Sequence, residues 1–169
     1  MSAGSVRIVP AKEEDVPLIL EMIRALAEYE RLSHEVLATE EKLRQTLFGP
    51  KAAAEVVFAY EGEFRAGFAV FFSTYSTFLG QPGIYLEDLY VKPEARGKGI
   101  GFALLRHLAK LAMERNCGRL EWSVLNWNEP SIQFYKRLGA APKDEWTKYQ
   151  LAGEALGRLA GDAKGVVDP

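Results

Sequence analysis

The spacing of apolar residues changes several times along the chain, and each change marks an element. Val6-Arg7-Ile8-Val9 alternates briefly and reads as a first strand stopping at Pro10. From Asp15 the period becomes helical. Leu18, Met22, Ile23, Leu26 and Tyr29 fall on one stripe, with Asp15 as the expected cap and Pro17 in the first turn, where its missing N–H costs nothing. A second, short helix is expected from the cap residue Thr39 through Leu43 and Leu47, ending at Gly49-Pro50.

After Pro50 the pattern turns to strands. Glu55 to Tyr60 and Phe64 to Thr77 are rich in Val, Phe, Tyr and Thr, and Glu61-Gly62-Glu63 between them gives a hairpin. Gln81-Pro82-Gly83 reads as the next turn and Ile84 to Val91 as a further strand, so an antiparallel meander is expected. Arg96 to Gly101 then runs into a helix over Phe102 to Arg115, with Ile100, Leu104, Leu108 and Leu111 on one face. Arg119 to Leu125 alternates as a strand. Asn128-Glu129-Pro130 opens a helix carrying Ile132, Phe134, Tyr135 and Leu138 to a stop at Gly139. Trp146 to Leu151 reads as a last strand, Gly153 to Ala160 as a short helix. The order predicts one α+β domain over residues 1–169, with its core at about 5–152 and a frayed tail at about 161–169.

Composition narrows the function by exclusion. The chain has 169 residues with a formal net charge of −2, which argues against nucleic-acid binding through bulk positive charge. One cysteine, Cys117, cannot form an internal disulfide, and two histidines, His34 and His107, make no Cys/His cluster, so no metal site is expected. Cys117 reads as a small buried thiol and His107 as a polar-face histidine. The longest apolar stretch, Ala66 to Phe72, is about a third of a membrane span. The N-terminus becomes charged before a signal-peptide core forms. The expectation is a cytoplasmic protein with no membrane partner.

The most informative chemistry is Arg96-Gly97-Lys98-Gly99-Ile100-Gly101. Glycines before a helix N-terminus let a ligand approach unpaired amides, and Arg96 and Lys98 add fixed positive charge. The spacing lacks the third glycine of a dinucleotide fingerprint, and no Gly-Lys-Ser/Thr is present, so neither of those nucleotide folds fits. A pyrophosphate fits well. The alternative is a tight strand-to-helix turn that needs glycine only for its dihedrals.

The strand Tyr85-Leu-Glu-Asp-Leu-Tyr-Val91, Pro93, the glycine-rich loop and the helix after it together resemble the acetyl-CoA signature of the GNAT acyltransferase superfamily. Leu26-Ala-Glu-Tyr-Glu30 and Trp127-Asn-Glu-Pro-Ser-Ile-Gln-Phe-Tyr-Lys-Arg-Leu-Gly-Ala140 are similar to the diamine (spermidine/spermine) acetyltransferase branch, and the resemblance spans about Val6 to Leu151. It implies the GNAT fold, a mixed and mostly antiparallel sheet flanked by helices. It also implies acetyl-CoA as donor, direct attack of a primary amine on the thioester, and a homodimer.

The resemblance assigns roles to individual positions. Tyr135 is the implied general acid for the departing thiolate, the alternative being an aromatic in a core stripe; Glu87 is the implied contact and proton acceptor for the amine. Leu89, Tyr90 and Val91 would face the acetyl group and pantetheine arm through their backbone. The loop residues 96–101, with Asn128 and Ser131, would complete the cofactor site. Tyr29, Glu30 and Asp88 are implied on the amine side, with Asp144 and Glu145 as alternatives for a last carboxylate. Because Glu87 and Asp88 are successive on a strand, alternation would send them to opposite faces; Asp88 is equally readable as a structural carboxylate.

Phe78 stands where relatives carry tryptophan, and the segment after Ala140 is shorter, which leaves the amine open among diamines, polyamines and lysine-like amino acids such as thialysine. A peptide or protein N-acetyltransferase and a non-catalytic acyl-CoA sensor are the alternatives. The near-zero net charge hides a segregation. Residues 92–115 carry a net +4, residues 11–31 carry −3, and residues 53–88 carry −4. One region suits an anionic cofactor, the other a cationic amine.

Overall fold

Strand-forming residues are densest between Glu55 and Val91, and the sheet is built around them. In the computed structural model, which describes residues 6–162, the chain divides into two units, residues 1–126 and 127–169. The tail expected at 161–169 falls, from 163 onward, outside the described residues.

In the first unit the sheet order follows the chain: β1 (Val6–Pro10), β2 (Glu55–Glu61), β3 (Phe64–Ser76), β4 (Gln81–Val91) and β5 (Leu120–Trp122). The first four are antiparallel neighbours, the meander the sequence predicts, and β5 joins β4 in parallel, giving the mixed sheet the resemblance implies. Gln81-Pro82-Gly83 is not a turn. These residues extend β4, with Gln81 opposite Ser76 and Pro82 opposite Tyr75, and the chain reverses over residues 77–80 instead. Proline is tolerated there because it sits at the strand's first residues, where the ladder is only beginning.

One face of the sheet is covered by α1 (Val16–Tyr29). Ile19, Met22 and Leu26 pack on Val56, Phe58, Phe68, Val70 and Tyr90, so the buried stripe centres on Ile19, with Leu18 and Ile23 half-buried at its margin. Each such fully buried side chain contributes about 1.5–3 kcal/mol from the apolar area it removes from water. Asp15 does not cap α1 with its side chain. A 3-10 turn over Glu13–Asp15 precedes the helix, so Asp15 is already helical; its carboxylate accepts from the Lys12 N–H at 2.9 Å and meets Arg65 at 3.3 Å. In α2 (Glu40–Leu47) the expected cap forms, Thr39 Oγ1 accepting from Lys42 N–H at 3.2 Å.

The helix α3 (Ile100–Glu114) buries Ile100, Leu104, Leu105 and Leu108. Arg115 then donates twice to Glu55, at 2.6 and 2.8 Å, tying the end of α3 to the start of β2. His107 and Cys117 are both half-buried, rather than solvated and fully buried respectively, and burial lowers the proton affinity of His107.

β5 is shorter than the alternation of Arg119 to Leu125 implies. Its ladder with β4 covers only Ile84–Leu86 against Leu120–Trp122. The reason lies in β4 itself. Val70 on β3 faces Asp88 and the adjacent Phe71 faces Leu86, which leaves Glu87 as an extra residue, a β-bulge that bends the strand just where the parallel ladder ends.

The second unit holds α4 (Glu129–Arg137) and α5 (Gly153–Gly157), which continues as a wider turn over Arg158–Asp162. The strand expected at Trp146 to Leu151 does not form. The alternation is present, but a strand needs a neighbour for its N–H and C=O groups, and among the described residues this unit contains no other strand. Trp146 and Tyr149 are therefore largely exposed.

Candidate active site

The bulge at Glu87 reorganises which residues of β4 share a face. Upstream, Ile84 and Leu86 lie opposite Ser73 and Phe71 and are buried, while Tyr85 lies opposite Phe72, their rings 5.3 Å apart. Downstream, Asp88 and Tyr90 lie opposite Val70 and Phe68, on the face covered by α1. Simple alternation therefore fails between Leu86 and Asp88, and the expectation that Glu87 and Asp88 point to opposite faces does not carry over a bulged residue. Asp88 shares a face with Tyr85 and Tyr90; Glu87 is exposed at the bulge.

The last turn of α1 brings further groups to this face. Arg31, with φ at +62°, ends the helix, and Leu32 N–H returns to the Ala27 carbonyl at 2.7 Å, so Tyr29 and Glu30 occupy the helix end. Burial raises the proton affinity of Glu30. For Asp88 the effect is larger: burial first, then the charges of Glu87 and Glu30, push it up to about 6. Three carboxylates from two elements thus act on one another, and Asp88 is the one whose proton affinity is displaced toward neutral pH. The sequence reading favoured Glu87 as proton acceptor; the signal for Asp88 lies in this long-range meeting.

Beyond β4 the chain turns through Pro93–Ala95 into the glycine-rich loop. Gly97 and Gly99 have φ of +75° and +81°, a region L-residues rarely adopt, and a Cβ at either would point into open space. Steric crowding is therefore not what excludes a side chain there; backbone conformation is. Gly99 occupies the cap position of α3 and has no side chain to bond the first amides of the helix. That arrangement fits an anion such as a pyrophosphate.

The loop's two cations have distinct surroundings. Lys98 Nζ lies 2.9 Å from Glu61 Oε2, from the β2–β3 hairpin. Arg96 Nε donates to the Val91 carbonyl at 3.0 Å, and its guanidinium lies over the Tyr29 ring at 4.8 Å and the Tyr90 ring at 5.7 Å. One carbonyl expected to meet the pantetheine arm therefore already accepts a bond from Arg96. In the sequence Glu61 is legible only as a hairpin residue, since nothing in a hairpin acid distinguishes it from any solvated one.

The structure thus gathers Tyr29, Glu30, Glu87, Asp88, Leu89, Tyr90, Val91 and the 96–101 loop within the first unit. Asn128, Ser131, Tyr135, Asp144 and Glu145 belong to the second. There Asn128 is buried and its Oδ1 accepts from the Ser131 N–H at 3.4 Å, capping α4. Tyr135 is half-buried, its ring 5.5 Å from that of Phe134. Asp144 and Glu145 are exposed on a turn, with Glu145 3.6 Å from Lys143. Among the described residues no group of three or more His, Cys, Asp or Glu is arranged to hold a metal ion, and no helix is long and apolar enough to cross a membrane.

Residues 19–140 match the model of the Acetyltransferase (GNAT) family. The chain is 42% identical over 169 residues to a thialysine N-epsilon-acetyltransferase from Sus scrofa, covering 94% of this chain and 99% of that protein. It is 33% identical to an L-ornithine N5-acetyltransferase from Arabidopsis thaliana, covering 89% and 86% respectively. Among solved structures, an integron cassette protein from the mobile metagenome of V. cholerae superposes with a TM-score of 0.77 at 30% identity, over 92% of this chain and 98% of that one.

Proposed function

The chain belongs to the GNAT acetyltransferase family and is an acetyltransferase; from that premise we propose that it moves the acetyl group of acetyl-CoA, the acyl donor of this family, directly onto the primary amine of a small cationic substrate. The observation that carries the substrate class is the meeting of Glu30, Glu87 and Asp88 where β4 bulges, upstream of the glycine-rich loop. A cluster of negative charge at the bulge of β4 suits an ammonium, and a cationic helix N-terminus beyond the end of the same strand suits a pyrophosphate. Relatives named for thialysine and ornithine, both amino acids with a side-chain amine, support the same class.

In this reading the amides of residues 97–101 and the charge of Lys98 hold the pyrophosphate, with Ile100 fixing the helix start behind them. The backbone of Leu89 and Tyr90 orients the acetyl group and pantetheine arm, and Asn128 and Ser131 contribute at the start of α4. Tyr29 and Glu30 bound the amine pocket. Glu87 draws in the ammonium, and Asp88, whose proton affinity lies nearest neutrality, takes its proton. The neutral amine then attacks the thioester carbonyl; a C–N bond forms, the C–S bond breaks, the Tyr135 phenol gives its proton to the leaving sulfur, and the second proton lost by the nitrogen passes to solvent, from which the phenolate is reprotonated. Asp144 or Glu145 supplies a further carboxylate to the distal end of a longer amine. The reaction runs in the cytoplasm.

We also propose a homodimer. Trp146–Leu151 has the pattern of a strand, exposes Trp146 and Tyr149 as coil, and finds no strand neighbour among the described residues of its own unit. A second copy is the natural source of that neighbour.

Thiol release measured with a panel of diamines, polyamines, ornithine, thialysine and lysine-bearing peptides tests the reading. Turnover with the small amines is expected. Turnover with peptides alone would replace the substrate class, and calorimetric acetyl-CoA binding without any turnover would replace catalysis with sensing. A light-scattering mass of one chain would count against the dimer.

A further inference from the structure

Tyr85 is held at both ends of its side chain. Its ring lies 5.3 Å from that of Phe72, tilted by 32°, and its hydroxyl lies 2.6 Å from Ser123 Oγ. Phe72 belongs to β3 and Ser123 follows β5 directly, so one side chain of β4 is tied to both neighbouring strands. The register explains its reach. Tyr85 pairs with Glu121, and Ser123 is two residues further on, hence on the same face. The tyrosine thus reaches over β5 at the point where the ladder with β4 stops, at Leu86 and Trp122.

The register also sets the distance from Tyr85 to the carboxylate at the bulge. Asp88 lies opposite Val70 and Tyr85 opposite Phe72, two residues apart on β3. The two β4 residues are therefore one strand repeat apart on one face, about 7 Å. On that face Phe68, Val70 and Tyr90 are buried in the core beneath α1, while Phe72 and Tyr85 are only half-buried. The acid opposite Tyr85 on β5, Glu121, is paired with Arg119 at 2.8 Å. Beside Asp88 the face thus offers an accessible aromatic pair, suited to methylenes rather than to a second charge.

We propose that Ser123 is a positioning residue acting through Tyr85: it pins the ring against Phe72 as an apolar surface one strand step from Asp88, and that surface selects amines by the length of the carbon stem behind the reacting nitrogen. A stem of about four or five bonds spans the distance. Amines of that length gain contact with the ring, and shorter ones do not. The inference rests on the amine-acetyltransferase reading above and deepens it, adding a residue that reads the length of the substrate.

The test uses Ser123→Ala, Ser123→Thr, Tyr85→Phe, Tyr85→Leu and the double variant of Ser123→Ala with Tyr85→Phe. Amine affinity is measured at saturating acetyl-CoA, as KM for the best linear amine of the panel and as the inhibition constant of its homologue two methylenes shorter. Acetyl-CoA Kd is measured by calorimetry. Ser123→Ala and Tyr85→Phe each remove one hydroxyl of the pair and keep the ring. Each is expected to raise KM for the longer amine about three- to fivefold, with kcat, acetyl-CoA Kd and the affinity of the shorter homologue all within about twofold. The double variant should be no worse than the poorer single, and Ser123→Thr, which restores a hydroxyl, should stay within about twofold of the unmodified protein. Tyr85→Leu removes the ring and should raise KM for the longer amine about tenfold or more. Equal losses on the two amines, an unchanged KM in Ser123→Ala, penalties that multiply in the double variant, or weakened acetyl-CoA binding would each overturn the proposal. Failure of the parent reading looks different, because the unmodified protein would then release no thiol with any small amine.

Discussion

Lys98 Nζ and Glu61 Oε2 lie 2.9 Å apart, so the cation of the glycine-rich loop meets a carboxylate of the β2–β3 hairpin. An incoming pyrophosphate must share or displace that partner. Glu61→Gln should therefore tighten acetyl-CoA binding by about two- to fivefold at low ionic strength, with the gain fading at about 0.5 M salt as screening shortens the reach of both charges. Calorimetric titration at two salt concentrations checks this; equal affinities for the two proteins at low salt would remove Glu61 from the donor site.

Asp88 sets function against stability. Its folded value of about 6 lies above the ordinary 3.8, so the folded chain binds more protons than the unfolded one between those limits. Stability from this group is then lost as pH rises through that window, by up to about 3 kcal/mol at neutral pH. Asp88→Asn should make the protein more resistant to urea at pH 7.5 by up to that amount, and the advantage should vanish below about pH 4. The same variant should lose most of its amine kcat/KM, and the acid limb near pH 6 expected of the unmodified enzyme should disappear with it. A stability difference independent of pH would contradict the assignment.

Tyr135→Phe removes one oxygen from a half-buried ring and leaves its packing against Phe134 in place. If the phenol protonates the leaving sulfur, kcat should fall by about 10²-fold or more, with acetyl-CoA Kd within about twofold. Steady-state thiol release with parallel calorimetry separates the two quantities.

Gly99 tests the loop by conformation rather than by charge. Alanine at φ +81° costs about 1 kcal/mol or more even though its Cβ would meet nothing. Gly99→Ala should relax that angle, disperse the first amides of α3 and weaken acetyl-CoA binding about five- to tenfold. Amine KM measured at saturating donor should stay unchanged.

Local signals carried most of the fold into view. Thr39, Asn128 and the glycine stop after Arg137 act through neighbours within one turn, and each performs as its position in the sequence implies. What escaped depends on partners distant in sequence. Gln81-Pro82-Gly83 has the composition of a turn, but the ladder with Ser76 and Tyr75 holds it extended. Trp146 to Leu151 has the pattern of a strand with nothing in its own unit to pair with. Glu87 and Asp88 are visible as two adjacent acids, but only the register against Val70 and Phe71 reveals that one of them is supernumerary. Glu30 reaches Asp88 from another element altogether, so no reading along the chain finds the shift it helps to cause.

The bulge also decides which changes in length the protein can survive. The reversal at residues 77–80 can gain or lose a residue without altering what lies beyond it. Removing Glu87 would only straighten β4, since Asp88 and Tyr90 already lie opposite Val70 and Phe68. Removing one residue beyond it, Leu89, would do something quite different: Tyr90 would come opposite Ala69 and away from α1, with Val91 taking its place opposite Phe68. An indel at this point would exchange the wall of the pocket for the floor of the core in one step. Homologous chains can therefore be expected to vary freely in the spacing before β4 and to keep an invariant count of residues from Asp88 to the glycine-rich loop.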